Sequence, residues 1–367
     1  MMSPFRDLIG IGRRWGVGGP SVIDPAGAPA LRGSHRLRRR CLPRLEPLES
    51  RVALTTFVVT NLNDSGDGSL RQAIELSNST PGPNEIDFAD GLSGTITLLN
   101  GQLTIANNDV TIVGPGADQL SVSGNFTSPS RVFEVDGVHA VLRGLTITGG
   151  LVASESSLGG GIYNTGTLEI TDSTISGNFA SFGGGIYNDS FGTVTITNST
   201  IVDNSADLGG GVYNASSGTL VLLGSTISGN SANTSGGGLY NAESGALGIT
   251  ASTISNNSAL LGGGIYNLSS AGTATISGST ISGNTADFGG GLYNTGSLIL
   301  VGTALLGNSA QVGGGIANDG GSLYILSSTI RLNSAEIGGG IANRNGTLVP
   351  VNTDISDNDG GNVIDLP

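Results

Sequence analysis

The chain has 367 residues, is 37% hydrophobic and only 12% charged, and contains 63 glycines. All fifteen of its cations are arginine, its one cysteine is Cys41, and its formal charge is −13, which excludes a lysine-bearing phosphate loop, an intramolecular disulfide and a Cys/His metal cluster. No stretch approaches the roughly eighteen apolar residues of a membrane-spanning helix.

Residues 1–54 read as a disordered basic leader. Ten arginines face four acids over residues 1–51, a net of +6, so the remainder carries −19. Prolines and glycines in the same stretch argue against packed structure. Nucleic acid is not the expected partner, because no aromatic residues interleave with the arginines and the acidic body repels phosphate. The apolar run Val52–Val59 is short and broken by Thr55 and Thr56, unlike a standard signal peptide, and Arg38–Arg40 precede Cys41 where a lipobox has small residues. The segment Leu45–Leu54, LEPLESRVAL, resembles the LEPR-XLL-type N-terminal motif of planctomycete and related bacterial surface proteins, with Leu48 in place of the central arginine. The resemblance implies export, to the bacterial cell surface or beyond it.

Residues 55–84 read as a cap, with a strand at Phe57–Asn61 and a short amphipathic helix at Ser69–Ser77 that places Leu70, Ala73 and Ile74 on one face. A solenoid needs such a cover, because its first coil otherwise offers open strand edges. Asn61–Gln72 has the length of a calcium loop, but Gln72 stands where an EF-hand requires glutamate, which leaves calcium a weak expectation and no other cofactor in view. The phrase TNLNDSGDGSLRQAI resembles the CSLREA-like module that precedes β-helix repeats in bacterial extracellular proteins.

Residues 85–367 read as one repetitive domain. Thr95–Leu99, Leu103–Ala106, Val110–Val113, Leu120–Ser123, Val132–Val135 and Ala140–Ile147 alternate apolar and polar residues, as half-buried strands do. From Gly159 the pattern becomes regular. Glycine triplets begin at 159, 183, 209, 236, 262, 289, 313 and 338, spaced by 24 to 27 residues. Each opens a phrase such as GGGIYN (Gly159–Asn164), and a second phrase, STISGN (Ser173–Asn178), recurs midway. Self-similarity at this period marks a solenoid. Period-two alternation, as in Leu168 and Ile170 of GTLEIT, rules out helical repeats, and the LxxLxLxxN consensus of leucine-rich repeats is missing. About three short strands per turn make a right-handed parallel β-helix of about eleven coils, with the regular repeats spanning 159–358. Ile175, Ile201, Ile227, Ile254, Ile281, Leu305, Ile330 and Ile355 are expected in one interior column. Leu168, Val194, Leu220, Leu247, Ala274, Leu298, Leu323 and Leu348 are expected in another.

Two further columns are candidate sites. Asn178, Asn204, Asn230, Asn257, Asn284, Asn308, Asn333 and Asn358 are predicted to turn a corner, using asparagine's tolerance of left-handed backbone, with amides bonded from coil to coil. Tyr163, Tyr187, Tyr213, Tyr240, Tyr266 and Tyr293 each follow an inward aliphatic and are predicted to point outward as a stacked ladder. That ladder either shields the sheet or binds a sugar or a partner.

The GGGIYN and STISGN repeats resemble the β-helix passenger repeats of polymorphic outer-membrane proteins and other adhesin-like proteins. The fold is also that of pectate lyases and polygalacturonases, whose chemistry needs clustered carboxylates and a basic group. Asp207, Asp287 and Glu336 occupy equivalent corners but lie two or three coils apart, too far to share an ion or a proton at about 4.8 Å per coil. Only Arg331 and Arg344 follow Arg143, and His139 is the lone histidine of the body, more simply read as solvent-facing than catalytic. The leading expectation is an exported, non-enzymatic structural or adhesive protein that meets glycans or cell-surface components, with oligomeric state left open. The alternative is a carbohydrate-active β-helix, a lyase or hydrolase. Ice or crystal-surface binding by threonine ladders is a third and weaker class.

Overall fold

The computed structural model describes residues 54–367, apart from 126, 128, 153–156, 269, 270 and 273. The leader, with Cys41 and nearly all of the Leu45–Leu54 motif, lies outside the described residues.

One coil shows how the chain winds. Short strands at Ile162–Asn164, Thr167–Thr171 and Thr174–Ser176 point in three directions. Each lies parallel to its counterpart one repeat later, in strict register: Ile162 beside Ile186, Leu168 beside Val194, Ile175 beside Ile201. Repetition of this pairing builds three parallel sheets of twelve, eleven and eleven strands among the described residues. The architecture is a parallel β-helix of the right-handed type with about twelve turns. The expected count was about eleven. The difference arises because Thr55–Val59, read from sequence as part of the cap, pairs in parallel with Asn84–Phe88 and starts the longest sheet.

The interior is filled by the predicted columns. Ile175 through Ile330 and Leu168 through Leu323 are buried, and only Leu348 and Ile355, in the last coil, are half-buried. A third column, Ile162, Ile186, Val212, Leu239, Ile265, Leu292, Ile316 and Ile341, completes the core. Each such side chain contributes roughly 1.5–3 kcal/mol by leaving water.

Polar ladders run inside the corners. Asn178 Nδ2 donates to Asn204 Oδ1 at 2.9 Å, and the chain of amides continues to Asn358 with links of 2.9–3.0 Å. The left-handed residue, however, is not the asparagine. It is the residue before it: Gly177, Asp203, Gly229, Asn256, Gly283, Gly307, Leu332 and Asp357 have φ between 55° and 65°. The amide must aim into the corner to reach the next coil, so the backbone reversal falls one position earlier. A second ladder, absent from the sequence reading, uses the last residue of each GGGIYN phrase. It runs Asn164, Asn188, Asn214, Asn241, Asn267, Asn294, Asn318, Asn343 and ends on Asp365. A third places the hydroxyls of Ser199, Ser225, Ser252 and Ser279 under the backbone N–H groups of Ser173, Ser199, Ser225 and Ser252 at 3.1–3.2 Å.

The glycine triplet makes the corner that precedes the tyrosine. Gly183 has φ 64°, and a Cβ on Gly185 would stand 2.6 Å from Gly211 O and 3.2 Å from the Asn204 amide. The first position needs left-handed backbone and the others need close approach, so three glycines recur together.

At the other end of the stack the helix α1 (Leu70–Ser79) is capped by Ser69, whose Oγ accepts from Gln72 N at 3.2 Å. It buries Leu70, Ala73, Ile74 and Ser77. Asn78 donates to Thr104 O at 2.8 Å and accepts from Ala106 N at 3.0 Å, which occupies the edge of the first strand in the tyrosine sheet, Leu103–Ala106.

Candidate functional site

The tyrosine column follows from period-two alternation. In each Ile-Tyr-Asn strand the aliphatic and the asparagine are buried inside, so the ring between them projects outward. Register then forces the rings together. Tyr187, Tyr213, Tyr240, Tyr266 and Tyr293 stack with centroids 4.8–5.3 Å apart and planes within 7° of parallel, while Tyr163 lies 5.8 Å from Tyr187 and tilts by 33°.

The ladder is not an exposed stripe. A second column, just before each glycine triplet, rises beside it: Leu158, Phe182, Leu208, Ser235, Leu261, Phe288, Val312 and Ile337, joined by parallel bridges. Phe182 packs edge-on against Tyr213, with centroids 5.7 Å apart and planes at 82°. Tyr240 retains 9% of its surface. Burial pushes the Tyr187 hydroxyl up to about 12, and the hydroxyls of Tyr163, Tyr240 and Tyr293 higher still. All six are therefore neutral phenols at physiological pH.

The two ends of the ladder differ. At Tyr163 the Arg131 guanidinium covers the ring face, 4.9 Å from its centroid, and Glu134 holds that arginine at 3.6 Å. The Tyr163 hydroxyl donates to Asp189 Oδ2 at 2.6 Å. At the opposite end Tyr293 donates likewise to Asp319 Oδ2 at 2.8 Å, and Arg344 grips that carboxylate through Nε at 2.8 Å and through Nη2. The Arg344 guanidinium holds the Asp319 carboxyl below the usual carboxylate range. The next two rungs are Ala317 and Ala342, so no side chain of the column covers the outer face of Tyr293. A cavity of about 340 Å³ opens there, walled by Leu261, Phe288, Val312 and Leu366. Between the ends, the hydroxyls of Tyr187, Tyr213, Tyr240 and Tyr266 make no hydrogen bond to described residues.

The other residues singled out by sequence stand apart from this side. The Asn178–Asn358 ladder is interior and buried for most of its length, so it is scaffold. His139 Nε2 lies 3.1 Å from Glu169 Oε1 and both side chains are exposed. Asp207 accepts from Asn233 Nδ2 at 2.8 Å. In the Asn61–Gln72 loop, Asp64 is occupied by Arg71 at 2.7 Å and by the Asn100 backbone N–H at 2.9 Å, while Gln72 accepts from Gly68 N at 2.8 Å. No group of three or more His, Cys, Asp or Glu side chains is placed to hold a metal ion among the described residues. Sequence reasoning missed the flanking apolar column and the Asp319–Arg344 pair. The signal for the latter was present in the two GGGIAN phrases, where alanine replaces tyrosine at 317 and 342.

No family model matches the sequence, and no curated protein matches it. Among solved structures the chain is similar to a mannuronan C-5 epimerase A-module from Azotobacter vinelandii, at 14% identity over 83% of this chain and 97% of that one, TM-score 0.44. It is similar also to an alginate lyase from Paenibacillus sp. str. FPU-7, at 13% identity over 83% and 98%, TM-score 0.38.

Proposed function

We propose that this chain is a non-enzymatic structural or adhesive β-helix, exported to the cell surface or the extracellular space, whose tyrosine side engages glycans. The observation that supports this most is the continuity of that side: six rings in register, bordered by a column that is apolar at every rung but Ser235. Aromatic edges with hydroxyl tips are amphipathic, apolar along the ring and wet at the end, as sugar-binding surfaces require. The tips repeat every coil, about 4.8 Å, close to the length of one sugar residue in an extended polymer. Export is supported by the partial resemblance of Leu45–Leu54 to a surface-protein leader.

The test is co-sedimentation of the purified chain with neutral and uronate polymers, alginate included, with and without calcium. The expected outcome is retention of the protein on at least one polymer, with polymer length unchanged, and loss of retention in Tyr213→Ala/Tyr240→Ala. Shortened polymer, or a new unsaturated end, would instead assign the chain to the carbohydrate-active class. Retention that survives the double substitution would remove the ladder from the site.

A further inference from the structure

We infer that the cavity at the end of the ladder is a binding slot for one neutral pyranose ring, stacked on the free face of Tyr293. This rests on the glycan-facing reading of the tyrosine side and narrows it to one subsite and one ligand class.

The ladder itself supplies the template for the occupant. At Tyr213 a ring is held face-on by Tyr187, 5.0 Å away, and edge-on by Phe182. Phe288 holds the position of Phe182 four repeats later, immediately before its glycine triplet, and Tyr293 holds that of Tyr187. The ring that should complete this corner is missing, because residue 317 is alanine. The walls are kept and the tenant is removed. Ala342 continues the floor under the next coil, so the space is two rungs deep. Phe288 is 40% exposed, unlike the packed aromatics beside it, which places apolar surface on the slot wall. The volume of about 340 Å³ falls at the lower end of the range for small-ligand sites, roughly 300–1,000 Å³.

The rim selects among rings. Asp319 and Arg344 stand side by side and neutralise each other. Arg344 Nη1 keeps unused N–H groups, and the carboxylate keeps unfilled lone pairs beyond its bonds to Tyr293 and Arg344. An adjacent acceptor and donor match a vicinal diol, one hydroxyl donating to Asp319 and its neighbour accepting from Arg344. The C–H face of the same pyranose lies against the tyrosine ring, as aromatic faces favour weakly positive partners. A uronate is disfavoured, because the only cation of the slot is already paired and the body carries about −19 by the sequence count.

The experiment is saturation-transfer NMR with calorimetry on the full chain, using the methyl glycopyranosides of glucose, galactose and mannose, with methyl galacturonate ion as the anionic arm. At least one neutral glycoside should bind saturably with a millimolar Kd, the ring C–H protons of one face receiving the strongest transfer. Ala317→Tyr restores the residue found at six equivalent positions, so the fold should hold and thermal stability should not fall, while glycoside affinity drops tenfold or more. Arg344→Ala, at an exposed side chain, should weaken binding severalfold and provides a second test if the tyrosine does not seat. Absence of saturable binding by all three glycosides, unchanged affinity in both variants, or preference for the anionic ring would each overturn the assignment. Polymer retention that persists in Ala317→Tyr overturns the slot as the polymer's subsite and leaves the wider reading standing. Glycoside binding without polymer retention does the reverse.

Discussion

Asn230 is fully buried, and its amide is engaged by five groups. Nδ2 faces Ile201 O, Ser228 O and Asn257 Oδ1, each at 3.0 Å, and Oδ1 accepts from Asn204 N and Nδ2 at 3.0 Å. Asn230→Ala leaves several of these groups without partners and without water, at about 1–3 kcal/mol for each stranded group, so a loss of roughly 3–5 kcal/mol is expected. Asn230→Asp should be as damaging near neutral pH, since a carboxylate cannot donate to Asn257. The natural chain places an aspartate in such a ladder at its final described rung, Asp365, where only an acceptor is needed. Denaturant midpoints of the two variants, with Asn358→Ala at the half-buried end as the mild control, measure the effect. Equal losses at 230 and 358 would refute burial as the cause. The recurrence of these asparagines at one corner of each coil, with amides in reach of the next, was legible in the sequence. Their backbone was not, because sequence places a propensity on the residue that has it, whereas here the demand falls on the neighbour. Leu332 shows the cost: it is 67% exposed at φ 59°, in the position where its equivalents are Gly, Asp or Asn. Leu332→Asn should raise stability by about 0.5–1 kcal/mol, read as a higher melting temperature.

The tyrosine ladder behaves as one element. Its existence could be read from the repeat of tyrosine after an inward aliphatic, and its stacking from the shared register. Its half-burial could not, since the flanking column lies in irregular corners where, outside the short strands Ser205–Leu208 and Ser231–Ser235, single bridges set the pairing. Burial couples the ladder to alkaline pH. An unfolded tyrosine loses its proton near 10, whereas the folded Tyr187 hydroxyl holds on to about 12 and its neighbours are also raised. A group whose value is raised on folding contributes stability that is complete below pH 10 and disappears as pH climbs toward 12. The phenols should therefore ionise together with loss of the β-sheet circular dichroism signal, well above pH 10. Tyrosinate absorbance rising near pH 10 for the ladder, with the sheet signal intact, would show the rings to be freely solvated. Tyr240→Phe, which keeps the ring and removes the hydroxyl, should blunt this alkaline transition while leaving stability at pH 7 within about 0.5 kcal/mol.

At the scale of the whole molecule, each coil contacts only the coils beside it, and stability is a sum of local and nearest-neighbour contributions. The described body has no long-range tie other than this stacking, so among the described residues unpaired strand edges fall only at its first and last coils. The last coil is sparing of apolar burial, with Leu348 and Ile355 half-buried, and its strands carry Asp354 and Asp365. The first strand of the tyrosine sheet, Leu103–Ala106, is covered instead by α1 through Asn78. Such an edge attracts a second chain when bare. Leu70→Asp puts a charge at a fully buried helix position and should release α1. The middle coils, which touch neither α1 nor one another's distant neighbours, should keep their hydrogen-exchange protection. The freed edge should then pair with copies of itself, giving concentration-dependent oligomers in sedimentation velocity. Asn78→Ala, which removes the edge bonds and leaves the helix packed, should associate more weakly. Global loss of protection in Leu70→Asp would contradict nearest-neighbour stability, and a strictly monomeric variant with α1 displaced would contradict the edge as the point of assembly.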